Sequence, residues 1–268
     1  MKNKVVIITG ASSGIGKACA ETFAQKGADM VLAARSTEKL SLIENDLKKD
    51  VNILTVKTDV SKKDDCQMLI EKTLEKFGKI DVLINNAGIS MRSLFVDTDL
   101  SVLKKLMDVN FWGTVYCSKF AMPHLLKTKG TLVGVSSIAG FQGLPGRAGY
   151  SASKFAMHGF LDAVRIENLK SGVHVLLVCP GYTASNIRNT ALTGDGSVQR
   201  ENPRNEAKMM SAEEVALNIY HGVVKRKRTI ILTGQGKLAV MLRKFIPGIM
   251  DKLVYNEIAK EGDLRLDH

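Results

Sequence analysis

The 268-residue sequence has no apolar run long enough to cross a bilayer; charge or glycine interrupts every stretch well short of the roughly eighteen residues a spanning helix needs. It also shows no leader pattern, because Met1 to Thr9 runs straight into a strand. Cysteine is scarce: Cys19, Cys66, Cys117 and Cys179 stand apart, with no pair at metal-ligand or redox spacing. They read as buried thiols in a reducing, cytoplasmic setting. His124, His158, His174, His221 and His268 are equally scattered and read as structural or surface residues, so no metal site is expected. One tryptophan, Trp112, and no recognition module argue against nucleic acid as a partner, despite a net charge of +11. Acid is absent from Lys225 to Lys244, where Lys225, Arg226, Lys227, Arg228, Lys237, Arg243 and Lys244 concentrate positive charge. Such a stretch is a solvated surface or an attraction for an anionic partner, whether a phosphorylated cofactor or acidic lipid.

What is present is alternation. β-Branched runs at Lys4–Thr9, Met30–Ala34, Asn52–Lys57, Val82–Asn85, Thr131–Ser136, His174–Cys179 and Thr229–Leu232 are separated by helix-length segments. The helices are expected at Gly14–Lys26, Thr37–Lys49, Lys62–Phe77, Leu100–Leu126 in two pieces, Tyr150–Lys170 and Ala212–Val224. This order predicts an α/β fold, a single-domain Rossmann-type doubly wound parallel sheet of about seven strands with helices on both faces. Right-handed crossovers put the strand C-termini on one rim, where a ligand should lie. No repeat or linker divides residues 1–268. The connection 181–211 lacks periodicity and is expected to act as a substrate lid.

After the first strand comes Gly10-Ala11-Ser12-Ser13-Gly14-Ile15-Gly16, followed at once by a helix. Gly10 permits the tight turn, Gly14 lets backbone approach a pyrophosphate, and Gly16 allows helix to pack closely on strand. The helix N-terminus then offers unpaired N–H groups to the phosphates, with Ser12, Ser13 and Ile15 between the glycines. This segment, with Asn85-Asn86-Ala87-Gly88, Tyr150-Ser151-Ala152-Ser153-Lys154 and Pro180-Gly181 in the same order, resembles the short-chain dehydrogenase/reductase family over about the first 185 residues. The resemblance implies that Asp59 and Val60 lie beside an adenine, and that Asn86, Ala87 and Gly88 support the middle of a nicotinamide dinucleotide. At the end of the second strand, where an acid would bind ribose hydroxyls, the sequence has Arg35 and Ser36 and no acid. A guanidinium and a hydroxyl there fit a 2′-phosphate, so NADP(H) is the expected cofactor.

Tyr150 and Lys154, four apart on a helix, share one face. A nearby ammonium favours phenolate, and Tyr150 is expected to be drawn toward the working range as the general acid or base. Ser137, at the end of the fifth strand, can hold the substrate oxygen. By resemblance, Asn110 helps hold a water linked to the lysine, and Lys154 binds the nicotinamide ribose. By resemblance too, Pro180, Gly181, Thr183 and Ser185 flank the nicotinamide. The last two depart from the family pattern, in which an aliphatic residue and threonine are commoner, and this places the carboxamide contact of Ser185 in doubt.

The expected function is hydride transfer between the nicotinamide and a carbonyl or secondary alcohol. Ile89, Met91, Phe141, Leu144, Tyr182 and Leu192 are candidate pocket walls, favouring a hydrophobic small-molecule substrate. A non-catalytic NADP(H)-binding sensor or scaffold is the alternative, although such a protein could dispense with Tyr150 or Lys154. Phe120, Met122, Phe155, Met157, Phe160 and Leu161 give the helices around them more apolar surface than one sheet face needs, so a homodimer or homotetramer is expected. In the tail, 236–268, apolar positions from Leu238 to Val254 recur every three or four residues with cations between, and Pro247-Gly248 should divide it into two helices. That stripe is expected to pack on the parent domain or on a partner subunit near the substrate mouth, or to place the chain peripherally on an anionic membrane.

Overall fold

The computed structural model describes residues 1–48, 51–183, 187–199 and 209–259. Among them, seven parallel strands form one sheet in the order β3-β2-β1-β4-β5-β6-β7. These are β1 Val5–Thr9, β2 Asp29–Ala34, β3 Ile53–Lys57, β4 Val82–Asn85, β5 Thr131–Val135, β6 His174–Cys179 and β7 Thr229–Ile231. The order reverses between β1 and β4, so the expected switch point is the middle of the sheet.

Burial on both faces explains the continuous apolar runs. Val5 and Ile7 join Leu69, Leu125, Met157 and Leu161 in one core layer, while Val6 and Ile8 join Phe23, Leu40, Val215 and Ile219 in the other. The helices supplying those layers are α1 Gly14–Gln25, α2 Thr37–Leu47, α3 Lys63–Phe77, α5 Gly113–Thr128, α6 Ala148–Glu167 and α7 Ala212–Val224, while α4 Leu100–Leu106 packs Val102 and Leu106 into a smaller cluster with Met91, Tyr150 and Leu192. Local signals fix their ends. The Ser36 hydroxyl accepts from Lys39 N at the start of α2, Ser211 and Glu214 form a reciprocal capping box on α7, and Gly78 at φ 71° closes α3. Asp81, almost wholly buried, takes hydrogen bonds from Val5 N at 3.0 Å and Lys4 Nζ at 2.7 Å, tying the start of β1 to that of β4.

The element boundaries differ slightly from the sequence pattern. α6 starts two residues before Tyr150, with Ser151 N bonded to Arg147 O at 2.8 Å, and it ends at Glu167. The two pieces expected within Leu100–Leu126 are joined by a π-helical turn, Met107–Trp112, rather than by a break. Met157 and Leu161, counted as surplus apolar surface, are wholly buried in the core, whereas Phe155 is exposed. Phe111, Trp112, Tyr116 and Phe160 form an aromatic cluster across α5 and α6, with Trp112 on the outside. The tail folds as two helices meeting at Pro247: α8 Gly234–Phe245, capped by Thr233, and α9 Pro247–Ala259. No described helix is long and apolar enough to cross a membrane.

Candidate active site

A cleft of about 770 Å³ runs along the C-terminal edge of the sheet. Each of the seven strands sends the segment following it into the lining: Gly10 after β1, Arg35 after β2, Asp59 after β3, Asn86 after β4, Ser137 after β5, Pro180 after β6 and Thr233 after β7.

At the β1–β2–β3 end the surface is backbone. Gly10 and Gly14 have φ of 65° and 51°, a conformation that L side chains rarely adopt. A Cβ on Gly16 would come within 2.2 Å of the Gly10 carbonyl, which is why the helix can sit so close. Gly16 itself does not line the cleft; it acts by permitting that approach. The loop after β4 is clamped to the same turn: Thr9 Oγ1 accepts from Asn86 N and Ala87 N, both at 3.0 Å, and Asn86 Nδ2 donates to Thr9 O and Gly10 O. Ser12, Ser13, Gly14 and Ile15 line the cleft at the start of α1, leaving a cradle of bare backbone and helix N–H groups that fits a pyrophosphate. Arg35, exposed, lies at the adjacent edge with Ser36 and Lys39, and Asp59 and Val60 complete this end. The residues present therefore fit a nicotinamide dinucleotide.

At the other end, Ser137, Tyr150 and Lys154 converge. The Ser137 hydroxyl hydrogen-bonds Tyr150. Lys154 Nζ lies 5.7 Å from the centre of the Tyr150 ring and donates to Val135 O at 3.1 Å. Burial pushes the phenol above its ordinary range, while the Ser137 hydrogen bond and the Arg147 and Arg188 cations pull it back. Against the sequence expectation, the phenol stays raised even with the Lys154 ammonium beside its ring. That ammonium is itself desolvated and held down to about 8. Two arginines that the motif did not mark also favour the Tyr150 phenolate. Arg147, three residues before Tyr150 at the start of the same helix, had a findable signal in its i, i+3 spacing; Arg188, in the irregular connection, had none.

Asn110 sits in the π-helical turn, fully buried and outside the cleft lining. Its side chain is committed to the loop after β4, accepting from Ile89 N at 2.8 Å and donating to Ile89 O and Ser153 Oγ. It positions the wall beside Gly88 rather than reaching into the cleft. Behind Ser137, the neighbouring Ser136 hydroxyl hydrogen-bonds His158 Nε2 at 2.7 Å, with Cys179 Sγ at 3.7 Å. Burial, and then the charge of Lys154, hold His158 down to about 4, so it is neutral at physiological pH.

Pro180, Gly181 and Thr183 line the cleft as expected, and Ser185 lies outside the described residues. Of the expected walls, Ile89, Leu144, Tyr182 and Leu192 are present. Met91 is buried behind Tyr150 and Leu192, and Phe141 packs its ring 4.5 Å from that of His158, so neither faces the cleft. Met250 and Val254 of α9, both members of the tail stripe, line the substrate end together with Gln235, Gly236 and Ala239 of α8, which the sequence pattern did not single out. The rest of the tail stripe stays outside: Leu238, Met241, Phe245, Ile249 and Leu253 are exposed, and Arg243 stacks 5.1 Å from the Phe155 ring.

Comparison with known proteins gives a consistent picture. The sequence profile described as short chain dehydrogenase matches residues 4–195. Dehydrogenase/reductase SDR family member 7B of Mus musculus is 35% identical over 268 residues, covering 97% of this chain and 83% of that protein. A short chain dehydrogenase/reductase SDR from Burkholderia phymatum, solved in complex with NAD, superposes with a TM-score of 0.81 at 25% identity, over 91% of this chain and 93% of the other. An alcohol dehydrogenase from the archaeon Thermococcus sibiricus, complexed with 5-hydroxy-NADP, gives 0.74 at 25% identity, over 85% and 95%.

Proposed function

This chain belongs to the short chain dehydrogenase family, and on that premise we propose that it is an NADP(H)-dependent oxidoreductase acting on a carbonyl or secondary alcohol of a largely apolar substrate. The observation that carries the reading is the assembly of Ser137, Tyr150 and Lys154 at one end of a cleft whose other end is a glycine cradle edged by Arg35. When bound, the nicotinamide supplies or accepts the hydride. In reduction, the Tyr150 O–H gives its proton to the substrate oxygen, and the Ser137 hydroxyl donates a hydrogen bond to the same oxygen as charge gathers on it. Arg147 and Arg188 stabilise the phenolate left behind, and Lys154 holds the ribose side of the site. Asn110 keeps the Gly88–Ile89 wall in place.

NADP(H) is favoured over NAD(H) by Arg35 and Lys39 at the cleft edge, with no acid after β2. The two solved relatives hold one cofactor type each, so the preference rests on those residues. The whole chain acts as one catalytic unit, with 181–211 as its lid. The aromatic cluster on α5 and α6 fits a homodimer or homotetramer, and the exposed face of α8 and α9 fits peripheral attachment to an anionic membrane from the cytoplasmic side.

The test is NADPH oxidation against a panel of apolar ketones and aldehydes, with wild type and Tyr150→Phe. The substitution should lower kcat by about 10²–10⁴-fold with a far smaller effect on NADPH affinity. Near-normal turnover by Tyr150→Phe would remove Tyr150 from the acid/base role. Tight NADPH binding with no turnover across the panel would favour a sensor or scaffold.

A further inference from the structure

Tyr150, Lys154 and His158 are buried polar residues of α6 at a spacing of four, so they share one face of the helix. The reaction uses the first two and leaves His158 without a task. Beside them the helix buries Met157 and Leu161 completely. An imidazole in such surroundings costs desolvation that another aliphatic side chain would avoid.

His158 meets both strand ends that carry the site. Its Nε2 lies 2.7 Å from the Oγ of Ser136, the residue before Ser137, and 3.7 Å from the Sγ of Cys179, the residue before Pro180. The turn after Ser137 closes over the ring: Phe141 meets it edge-on with 4.5 Å between centres, and a Cβ on Gly140 would come within 2.4 Å of Nε2. Backbone bonds from Ser136 N to Val178 O at 2.7 Å and from Ile138 N to Pro180 O at 3.2 Å lock the Ser137 segment to β6. They do not set its distance from Tyr150, which belongs to α6. Besides the Ser137–Tyr150 bond itself, the side-chain hydrogen bonds that tie α6 to the end of β5 among the described residues are Lys154 Nζ to Val135 O and His158 to Ser136.

We propose that His158 is a positioning residue: through Ser136 it keeps the Ser137 hydroxyl within hydrogen-bond reach of the Tyr150 oxygen, where both meet the substrate oxygen. His158 itself lies outside the cleft lining, so it acts through its neighbour. The inference rests on the oxidoreductase reading for the reaction and on the α6–β5 contact for the geometry. Proton and hydride transfer need Tyr150 and Ser137 placed together within a fraction of an ångström. A slip of the β5 end against α6 therefore lowers kcat while leaving cofactor binding alone.

Two variants break the contact from opposite sides: Ser136→Ala, which removes only a hydroxyl, and His158→Leu. His158→Gln keeps an amide near the Nε2 position. Each of the first two should lower kcat for carbonyl reduction by about tenfold to a hundredfold, with KM and NADPH affinity little changed, and His158→Gln should recover most of the loss. Combined, they should do no more harm than the worse one alone. In a Ser137→Ala background the same substitutions should cost no more than about twofold, the ordinary margin of additivity. A second measurement needs no turnover. In protein carrying isotopically labelled tyrosine, the Tyr150 Cζ NMR signal, assigned by its loss in Tyr150→Phe, should move in Ser136→Ala and His158→Leu toward its position in Ser137→Ala. It should move no further when either is combined with Ser137→Ala. Should His158→Leu fail to fold, Ser136→Ala carries both measurements. An unmoved Tyr150 signal, or losses of kcat that multiply with that of Ser137→Ala as a merely structural role would make them, would overturn the proposal. Tyr150-dependent turnover indifferent to both substitutions would do so too, and leave the enzyme reading standing. A Tyr150 signal that shifts through Ser137, in protein that turns over no carbonyl, would keep the contact and remove the enzyme reading.

Discussion

At one end of the cleft Gly10, Gly14 and Gly16 strip the surface to backbone; at the other, Tyr150, Arg147, Arg188 and the tail helices build it from side chains. The first end is defined by what is absent. It depends on a few φ values and one close helix–strand contact, and phosphate recognition follows from N–H groups that every chain possesses. The second end depends on which side chains distant segments happen to deliver. Substitution should therefore act sharply and uniformly at the nucleotide end, and change selectivity at the other.

The sharpest test of that contrast is Gly16→Ala. A Cβ placed 2.2 Å from the Gly10 carbonyl forces helix and turn apart. Overpacking of this kind costs about 1–3 kcal/mol, so NADPH affinity followed by fluorescence titration should fall by roughly tenfold to a hundredfold. Unchanged affinity would mean that the turn tolerates a wider spacing than its geometry indicates.

Arg35→Asp probes the one place where the nucleotide end uses a side chain. Replacing an exposed cation by an anion should reduce the preference for NADPH over NADH by about tenfold, the scale of a single charged contact. Equal binding of the two cofactors by the unmodified protein would show that Arg35 does not discriminate.

His158 probes the support behind the chemical end. Its folded-state value of about 4 lies below the ordinary 6.5, so the unfolded chain binds the proton first as pH falls. Its contribution to stability is complete above pH 6.5 and is lost through the window down to about 4. Urea unfolding of His158→Asn should therefore show a shallower pH dependence there, by at most about 1.4 kcal/mol per pH unit. Asp162, which favours the charged form, and Lys154, which opposes it, are the charges acting on the ring. Parallel curves for variant and wild type would mean that His158 is already solvated.

The smallest effect is expected from the tail. Phe245→Ser with Ile249→Ser removes two exposed apolar groups and should weaken co-sedimentation with anionic vesicles severalfold while leaving cleft-facing Met250 and Val254 untouched. Wild-type protein that ignores anionic vesicles at low salt would leave the exposed stripe to a protein partner.

Much of the nucleotide end was legible in the sequence because its determinants are local: glycines at fixed spacing, a strand before them and a helix after. The strands were legible within a residue at either end, since burial on both faces writes continuous apolar runs. The chemical end was only half legible. Tyr150, Lys154 and Ser137 follow from spacing, but the ionisation of Tyr150 is set first by burial, then by the Ser137 hydrogen bond and Arg147, with a smaller part from Arg188, which is 38 positions away in the chain. Likewise Met250 enters the cleft through tertiary packing of α9, and nothing in its own neighbourhood distinguishes it from exposed Ile249.

The π-helical turn at Met107–Trp112 also sets a phase. An α-helix advances about 100° per residue, and the wider π turn takes up one additional residue without imposing that rotation on everything after it. Upstream, Val102 and Leu106 face inward; downstream, Cys117, Ala121 and Leu125 do so, at a uniform spacing of four. Wound as an unbroken α-helix, the same residues would turn the inner row of α5 by about 100° relative to the face that carries Val102 and Leu106. Deleting one residue between Met107 and Trp112 would remove the π turn and leave those rows aligned as they are.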